Sequence, residues 1–188
     1  MPSLSAFNRS GALNSIWAIA SASVLIRWGI LSLVVGCGKS STTGRGIAME
    51  MKMDIDALAA FLVRDFPQVA ADFEIVEAAP PFVTLALNAS TQHLRPGGTV
   101  SGPTMFALAD VTAYFCILAG LGPVALAVTT NCSIDFMRKP APGRLLCRME
   151  LLKLGRSLAV CEGRIYIQGD EGRPVARASL TYSIPPTP

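Results

Sequence analysis

The stretch from Val100 to Gly120, VSGPTMFALADVTAYFCILAG, constrains the fold more than any other part of the chain. It has the length and composition of a helix, and Asp110 is its only charged residue. A helix that is apolar on nearly every side must be enclosed, either by other elements or by lipid. This one is marginal in length for a membrane crossing and is embedded among segments patterned as half-buried strands, so a sheet wrapped around it is the expectation. Asp110 then needs a reason. Desolvating an ionised carboxylate costs several kcal/mol unless it is paired or hydrated. Either a neighbouring hydroxyl, such as that of Thr112 or Tyr114, satisfies it, or the chain keeps it for chemistry.

The flanking sequence supplies the wrapping. Asp54 is placed to cap a short amphipathic helix over residues 55–66, with Ile55, Leu58, Leu62 and Phe66 on one face and Pro67 ending it. PFVTLALN, residues 81–88, reads as a first strand, and the loop TQHLRPGG leads into the apolar helix, which Gly120 and Gly122 close. Beyond that helix the period changes to two. Leu126, Val128, Thr130, Cys132, Ile134 and Phe136 form the inward set of the next strand, alternating with Ala127, Thr129, Asn131, Ser133 and Asp135. Three more strands follow around residues 145–151, 161–167 and 176–184, and the turns KPAPG, LGRS and GDEG are short enough to join antiparallel neighbours. The expected architecture is α+β: a curved antiparallel sheet of five to six strands around one long central helix.

The 188 residues suffice for one domain with a proper core. The net charge of +3 is unevenly spread. Four basic residues (Arg9, Arg27, Lys39, Arg45) and no acid precede Met49, whereas 12 basic residues face 13 acidic ones from Met49 onward. That is not the profile of a nucleic-acid binder. The five cysteines form no CxxC pair and there is a single histidine, so no metal site is expected. Cys116, Cys132, Cys147 and Cys161 read as small buried hydrophobes of a cytoplasmic, reducing setting.

Residues 1–48 form an apolar N-terminal extension ahead of a domain at 49–188. A membrane span over residues 13–37 is opposed by Arg27 near its centre, which costs about 2.5–3.5 kcal/mol on insertion scales. Val34-Val35-Gly36-Cys37 resembles a lipoprotein cleavage box, and GCGKS lacks the first glycine of a phosphate loop because Leu33 stands there. The change of charge and composition favours translation beginning at Met49, Met51 or Met53; a membrane or lipid anchor at residues 13–37 is the alternative.

The segment Gly98–Asp110, GTVSGPTMFALAD, resembles the phenylacetate-pathway (PaaI) thioesterases of the 4-hydroxybenzoyl-CoA thioesterase superfamily. TTNCSIDFMRKPAPG and LLKLGRSLAVCEGRIY are similar to that family's second to fourth strands, and the resemblance covers about residues 55–185. The family pattern is Asn, Gly three residues on, His-Gly-Gly, and an acid nine residues after the His. Here Gly98 fills the Gly position, Ser101, Gly102 and Pro103 replace His-Gly-Gly, and Asp110 lies nine residues after Ser101. Arg95 stands where the family has Asn, and the chain's only histidine, His93, lies outside the motif. The resemblance implies a hotdog fold, hydrolysis of acyl-CoA thioesters, no cofactor beyond the coenzyme A of the substrate, and a homodimer, or a dimer of dimers, with shared active sites.

Thioester hydrolysis needs a group to activate water or attack directly, and donors for the developing oxyanion. Asp110 is the candidate for the first task, as general base or nucleophile. The helix start at Gly102, read as the cap, with Pro103 in the first turn, is the candidate for the second. Eight residues of helix separate them by about 12 Å, whereas base and oxyanion donors must lie within about 3 Å of one reacting group. One helix cannot serve one carbonyl with both, but two helices side by side in a dimer can. Ser101 is either a helix cap or a substrate contact. Thr129 lies near where relatives carry a Ser that orients water, with Thr130 beside it. Gly98 and Arg95 are candidates for substrate contact. Seven basic residues against two acids between Arg138 and Arg164 suit the phosphates of coenzyme A, with Arg138 and the turn Gly155, Arg156, Ser157 as the leading candidates. The competing functions are a non-catalytic acyl-CoA binder or sensor and an enoyl-thioester hydratase, the latter disfavoured by the lack of a motif histidine.

Overall fold

The computed structural model describes residues 50–186, so expectations for residues 1–48, including the anchor at 13–37, lie outside the described residues. The apolar run is a 20-residue helix, α2 (Gly102–Leu121). Leu108, Ala109, Ala113, Phe115, Ile117 and Leu118 on it are all 0% exposed. By length and composition alone α2 could cross a membrane, but 67% of its apolar window is buried inside the protein. It is the core helix.

Preceding it are α1 (Ile55–Asp65), the strands β1 (Phe73–Ala79) and β2 (Phe82–Asn88), one 3-10 turn at Thr91–His93, and a two-residue ladder of β3 (Leu94–Arg95) with β4 (Thr99–Val100). After it come β5 (Val128–Phe136), β6 (Arg144–Leu154), β7 (Leu158–Ile167) and β8 (Ala176–Ser183). Six strands form one antiparallel sheet in the order β1-β2-β6-β7-β8-β5. Its inward residues, among them Val83, Leu85, Cys147, Met149, Cys161, Ile165 and Leu180, close over α2 with at most 1% exposure. Each such aliphatic side chain contributes about 1.5–3 kcal/mol on leaving water. This is the hotdog arrangement.

Four details differ from the sequence expectation. Residues 73–79 form β1, which the sequence did not mark as a strand; a register shift after Ile75 leaves Val76 out of the ladder and 40% exposed, breaking the alternation that would have revealed it. On α1 the buried set is Leu58, Phe61 and Leu62, while Ile55 is 39% exposed, because the ring of Phe61 turns the helix towards Tyr114 and Phe115. The cap of α2 is Ser101 rather than Gly102: the Ser101 hydroxyl accepts from the Thr104 amide at 3.3 Å, and Gly102 is the first helical residue.

The fourth concerns β5, which KPAPG was expected to join to a neighbour. β5 pairs with β8 instead, and β6 lies three positions away across the sheet. Adjacent strands are about 4.8 Å apart, so the crossing is about 14 Å, well within the reach of the seven residues between β5 and β6. β5 also carries a bulge: Thr129 pairs with Tyr182 and Asn131 with Thr181, leaving Thr130 unpaired. The extra residue reverses the alternation. Before it Ala127 is buried and Thr129 turns to the helix, whereas after it Cys132 and Ile134 do.

Candidate active site

Asp110 is half-buried on α2, facing the row where Thr129 of β5, Tyr182 of β8 and Ala159 of β7 lie side by side. The Thr129 hydroxyl donates to Asp110 Oδ1 at 2.6 Å. The Tyr182 hydroxyl lies 2.7 Å from the same oxygen and 2.9 Å from the Asp110 main-chain carbonyl. Burial, and then the Asp110 charge, push the Tyr182 phenol well above its ordinary range, so it remains a protonated donor. Among the described residues no hydrogen bond involves Oδ2. The helix neighbours considered from sequence do not serve Asp110: Thr112 donates to the Leu108 carbonyl and Tyr114 to that of Ala125. The partners come from the sheet. Thr130 has its hydroxyl on the Thr181 carbonyl at 3.1 Å, as the bulge requires.

The turn Gly155-Arg156-Ser157 lies at this same end. Leu158, Ser183 and Val128 form the next row outward, and the Ser157 carbonyl accepts from the Ile184 amide at 2.8 Å. The turn closes through the Gly155 amide on the Leu158 carbonyl, and a Cβ on Gly155 would come within 3.1 Å of that oxygen. Arg156 and Ser157 are exposed.

The helix start is built differently, from main-chain groups. The His93 carbonyl accepts from the Ser101 amide at 2.9 Å and from the Thr104 hydroxyl at 3.1 Å, and the Pro140 carbonyl accepts from Val100. His93 itself is held in its own loop, with Nδ1 accepting from the Ser90 amide at 3.0 Å. Ser101 spends its hydroxyl on Thr104. Pro103 has no N–H, so Gly102 offers the one first-turn amide that, among the described residues, has no hydrogen-bond partner. The Phe136 ring packs on Gly102, 3.4 Å from where a Cβ would stand.

Arg95, Gly98 and Arg138 belong to this second place. Arg95 Nε donates to the Thr99 hydroxyl at 2.9 Å across the β3–β4 turn, where Gly97 and Gly98 take φ of 98° and 73°. Arg138 follows Phe136 by two residues, and its guanidinium donates to the Pro174 carbonyl. The candidates therefore fall into two groups. Asp110, Thr129, Thr130 and the Gly155–Ser157 turn occupy one end; Ser101, Gly102, Gly98, Arg95 and Arg138 occupy the other. The row of Thr129–Tyr182 and that of Phe136–Ala176 are six residues apart along β8, about 20 Å. Tyr182, on the strand expected around residues 176–184, is the site member that the sequence reading missed. Its signal was a hydroxyl on a strand face that must find a partner when buried.

The thiols are not organised for nucleophilic work. Cys116, Cys132, Cys147 and Cys161 are free, and burial pushes Cys147 up to about 12. The Cys132 thiol is raised by burial and then by the Asp110 charge. Among the described residues no group of three His, Cys, Asp or Glu side chains could hold a metal.

A sequence model of the thioesterase superfamily matches residues 97–173, which span the Gly98–Asp110 segment and all of β5–β7. No curated protein sequence matches the chain significantly. Among solved structures, a protein of Silicibacter sp. TM1040 provisionally assigned as a thioesterase is 55% identical, over 73% of this chain and 96% of that one, with a TM-score of 0.68. A point mutant of the phenylacetic acid degradation protein PaaI from Thermus thermophilus is 26% identical over 63% of this chain and 99% of its own, with a TM-score of 0.56. Zebrafish thioesterase superfamily member 2, 21% identical over 71% of this chain and 100% of its own with a TM-score of 0.63, shares the fold. Identical at more than half of the aligned positions along nearly the whole of one such structure, the chain belongs to the thioesterase superfamily and is a PaaI-like, hotdog-fold thioester hydrolase.

Proposed function

We propose that the protein hydrolyses small-molecule acyl or aryl thioesters of coenzyme A, in active sites shared between the two subunits of a homodimer. The observation that carries this reading is the state of Asp110: one carboxylate oxygen is held by two hydroxyls from the sheet, and the other makes no hydrogen bond among the described residues. Since no side-chain oxygen is both buried and unpartnered among the described residues, Oδ2 is open to a water or an acyl group.

In the general-base form, Asp110 Oδ2 takes a proton from water as its oxygen attacks the thioester carbonyl carbon. The oxyanion is received by the amide of Gly102 of the partner subunit. The C–S bond then breaks, and the thiolate leaves with the proton returned from Asp110, giving carboxylic acid and coenzyme A. In the nucleophilic form the carboxylate attacks first and the C–S bond breaks to release the coenzyme A thiolate; water then cleaves the resulting anhydride, giving the carboxylic acid, the free Asp110 carboxylate and the proton that the thiolate takes up. Thr129 orients the carboxylate in either case.

The dimer follows from the free edge of the sheet. β5 ends the sheet, and Val128 and Phe136 on it and Met137 just beyond it are 57%, 50% and 47% exposed, an apolar edge of the kind natural proteins cover. Antiparallel pairing of β5 with its copy, centred on Cys132–Ser133, sets Thr129 beside Phe136 of the partner subunit. Because Thr129 touches Asp110 and Phe136 touches Gly102, the same pairing draws Asp110 towards Gly102 of the partner subunit. It likewise gathers Arg156 and Ser157 with the partner's Arg138 and the partner's Arg95, as a site for the coenzyme's phosphates. The buried free thiols fit a reducing, cytoplasmic setting.

The test is thiol release from short-chain, long-chain and aryl acyl-CoAs by the wild-type protein and Asp110→Asn. Asn keeps an acceptor for Thr129 and Tyr182, so the fold survives while the base is lost. Turnover should fall by about three orders of magnitude. Binding of acyl-CoA by the wild-type dimer without turnover of any thioester would instead mark a sensor.

A further inference from the structure

We propose that Tyr182 is a positioning residue for the reaction: its hydroxyl fixes the plane of the Asp110 carboxylate, leaving Oδ2 to face the reacting water or acyl carbon. This rests on the reading of Asp110 given above. Tyr182 is 3% exposed and stacks on Tyr114, ring centroids 6.4 Å apart at 27°, so its hydroxyl has little freedom. That hydroxyl sits between the Asp110 carbonyl and Oδ1. A phenol has one proton, and the charged oxygen is the stronger acceptor, so the proton goes to Oδ1. With Thr129 on the same oxygen, two elements of the sheet hold a side chain of the helix in one orientation.

The electrostatic surroundings make this contribution readable. The titratable groups around Asp110 are Tyr182 on β8, Cys132 on β5, Cys161 on β7 and Tyr114 on α2 itself. Among the described residues no Lys, Arg or His makes an ion pair with Asp110. The orientation of the carboxylate is thus held by hydroxyl donors alone, and removing one lets it turn away from the reacting water.

For Tyr182→Phe kcat should fall about tenfold while KM stays within about twofold of wild type. Tyr114→Phe, which removes the hydroxyl on the Ala125 carbonyl, should leave kcat in place. Two measurements keep the test independent of how well Tyr182→Phe folds. The first is its Tm, against which the loss of kcat is read. The second is Tyr182→Phe in the Asp110→Asn background, where it should cost less than about twofold further because the carboxylate it positions is gone. An unchanged kcat in Tyr182→Phe, or an equal loss in both backgrounds, would overturn the role of Tyr182. Wild-type turnover by Asp110→Asn would instead overturn the reading of Asp110 on which it rests.

Discussion

The middle of α2, at Asp110, and its N-terminus, at Gly102, are built from opposite materials. At Asp110 the polar atoms are side chains that converge from β5 and β8 onto a helix carboxylate, yielding an acceptor with one free oxygen. At Gly102 they are main-chain groups, with Ser101 and the His93 carbonyl absorbing the other donors, yielding one unpartnered amide beneath an aromatic ring. Each region holds half of what acyl transfer requires, and about 12 Å of helix keeps the halves apart. A single chain with this geometry has a base without an oxyanion donor and a donor without a base. The contrast is what the proposed dimer, paired along the free β5 edge, would resolve.

Substitutions that silence one region at a time sharpen the contrast. Asp110→Asn gives the largest effect, the roughly thousandfold loss already described. Gly102→Pro comes next. Proline is tolerated at the first helical position and removes the amide hydrogen, its Cβ would meet the Phe136 ring at an ordinary 3.4 Å, and Ser101 already has the extended ψ of 154° that a following proline demands. Loss of the oxyanion donor should lower kcat by about a hundredfold with little change in KM, measured by thiol release. An unchanged kcat would mean that Gly102 holds no oxyanion. The smallest effect is expected at Ser101→Ala, whose hydroxyl is spent on capping. It should cost about 1 kcal/mol of stability, a drop of a few degrees in Tm, with kcat nearly unchanged. A large loss of kcat without loss of Tm would move Ser101 into contact with the substrate.

Much of the first region was legible in the sequence because it rests on composition. An all-round apolar helix has few ways to be buried, and a lone carboxylate within it stands out at once. What supports that carboxylate was harder to read. Tyr182 lies 72 residues from Asp110, and nothing local to either residue announces the other. Thr129 was named on the strength of the resemblance, while the period of β5 put it on the outward face. The bulge at Thr130, which reverses the alternation, removes that conflict. Bulges hide from pattern reading because they add one residue without changing composition, and the irregularity in β1 near Val76 hid a whole strand in the same way. The capping of α2 turned on a single hydrogen bond, which decided between Ser101 and Gly102. The division of the candidates into two ends follows from strand register, which no short motif encodes.

The most direct test of shared sites is complementation between the two silenced regions. Asp110→Asn and Gly102→Pro proteins would be unfolded together, refolded as a mixture, and assayed for thiol release against each alone. Half of the dimers in an equal mixture pair the two variants, and each of those has one site with both Asp110 and Gly102 intact. Activity should therefore return to about a quarter of wild type. A mixture that forms mixed dimers yet stays as inactive as its components would show that each chain works within itself, and would contradict the account.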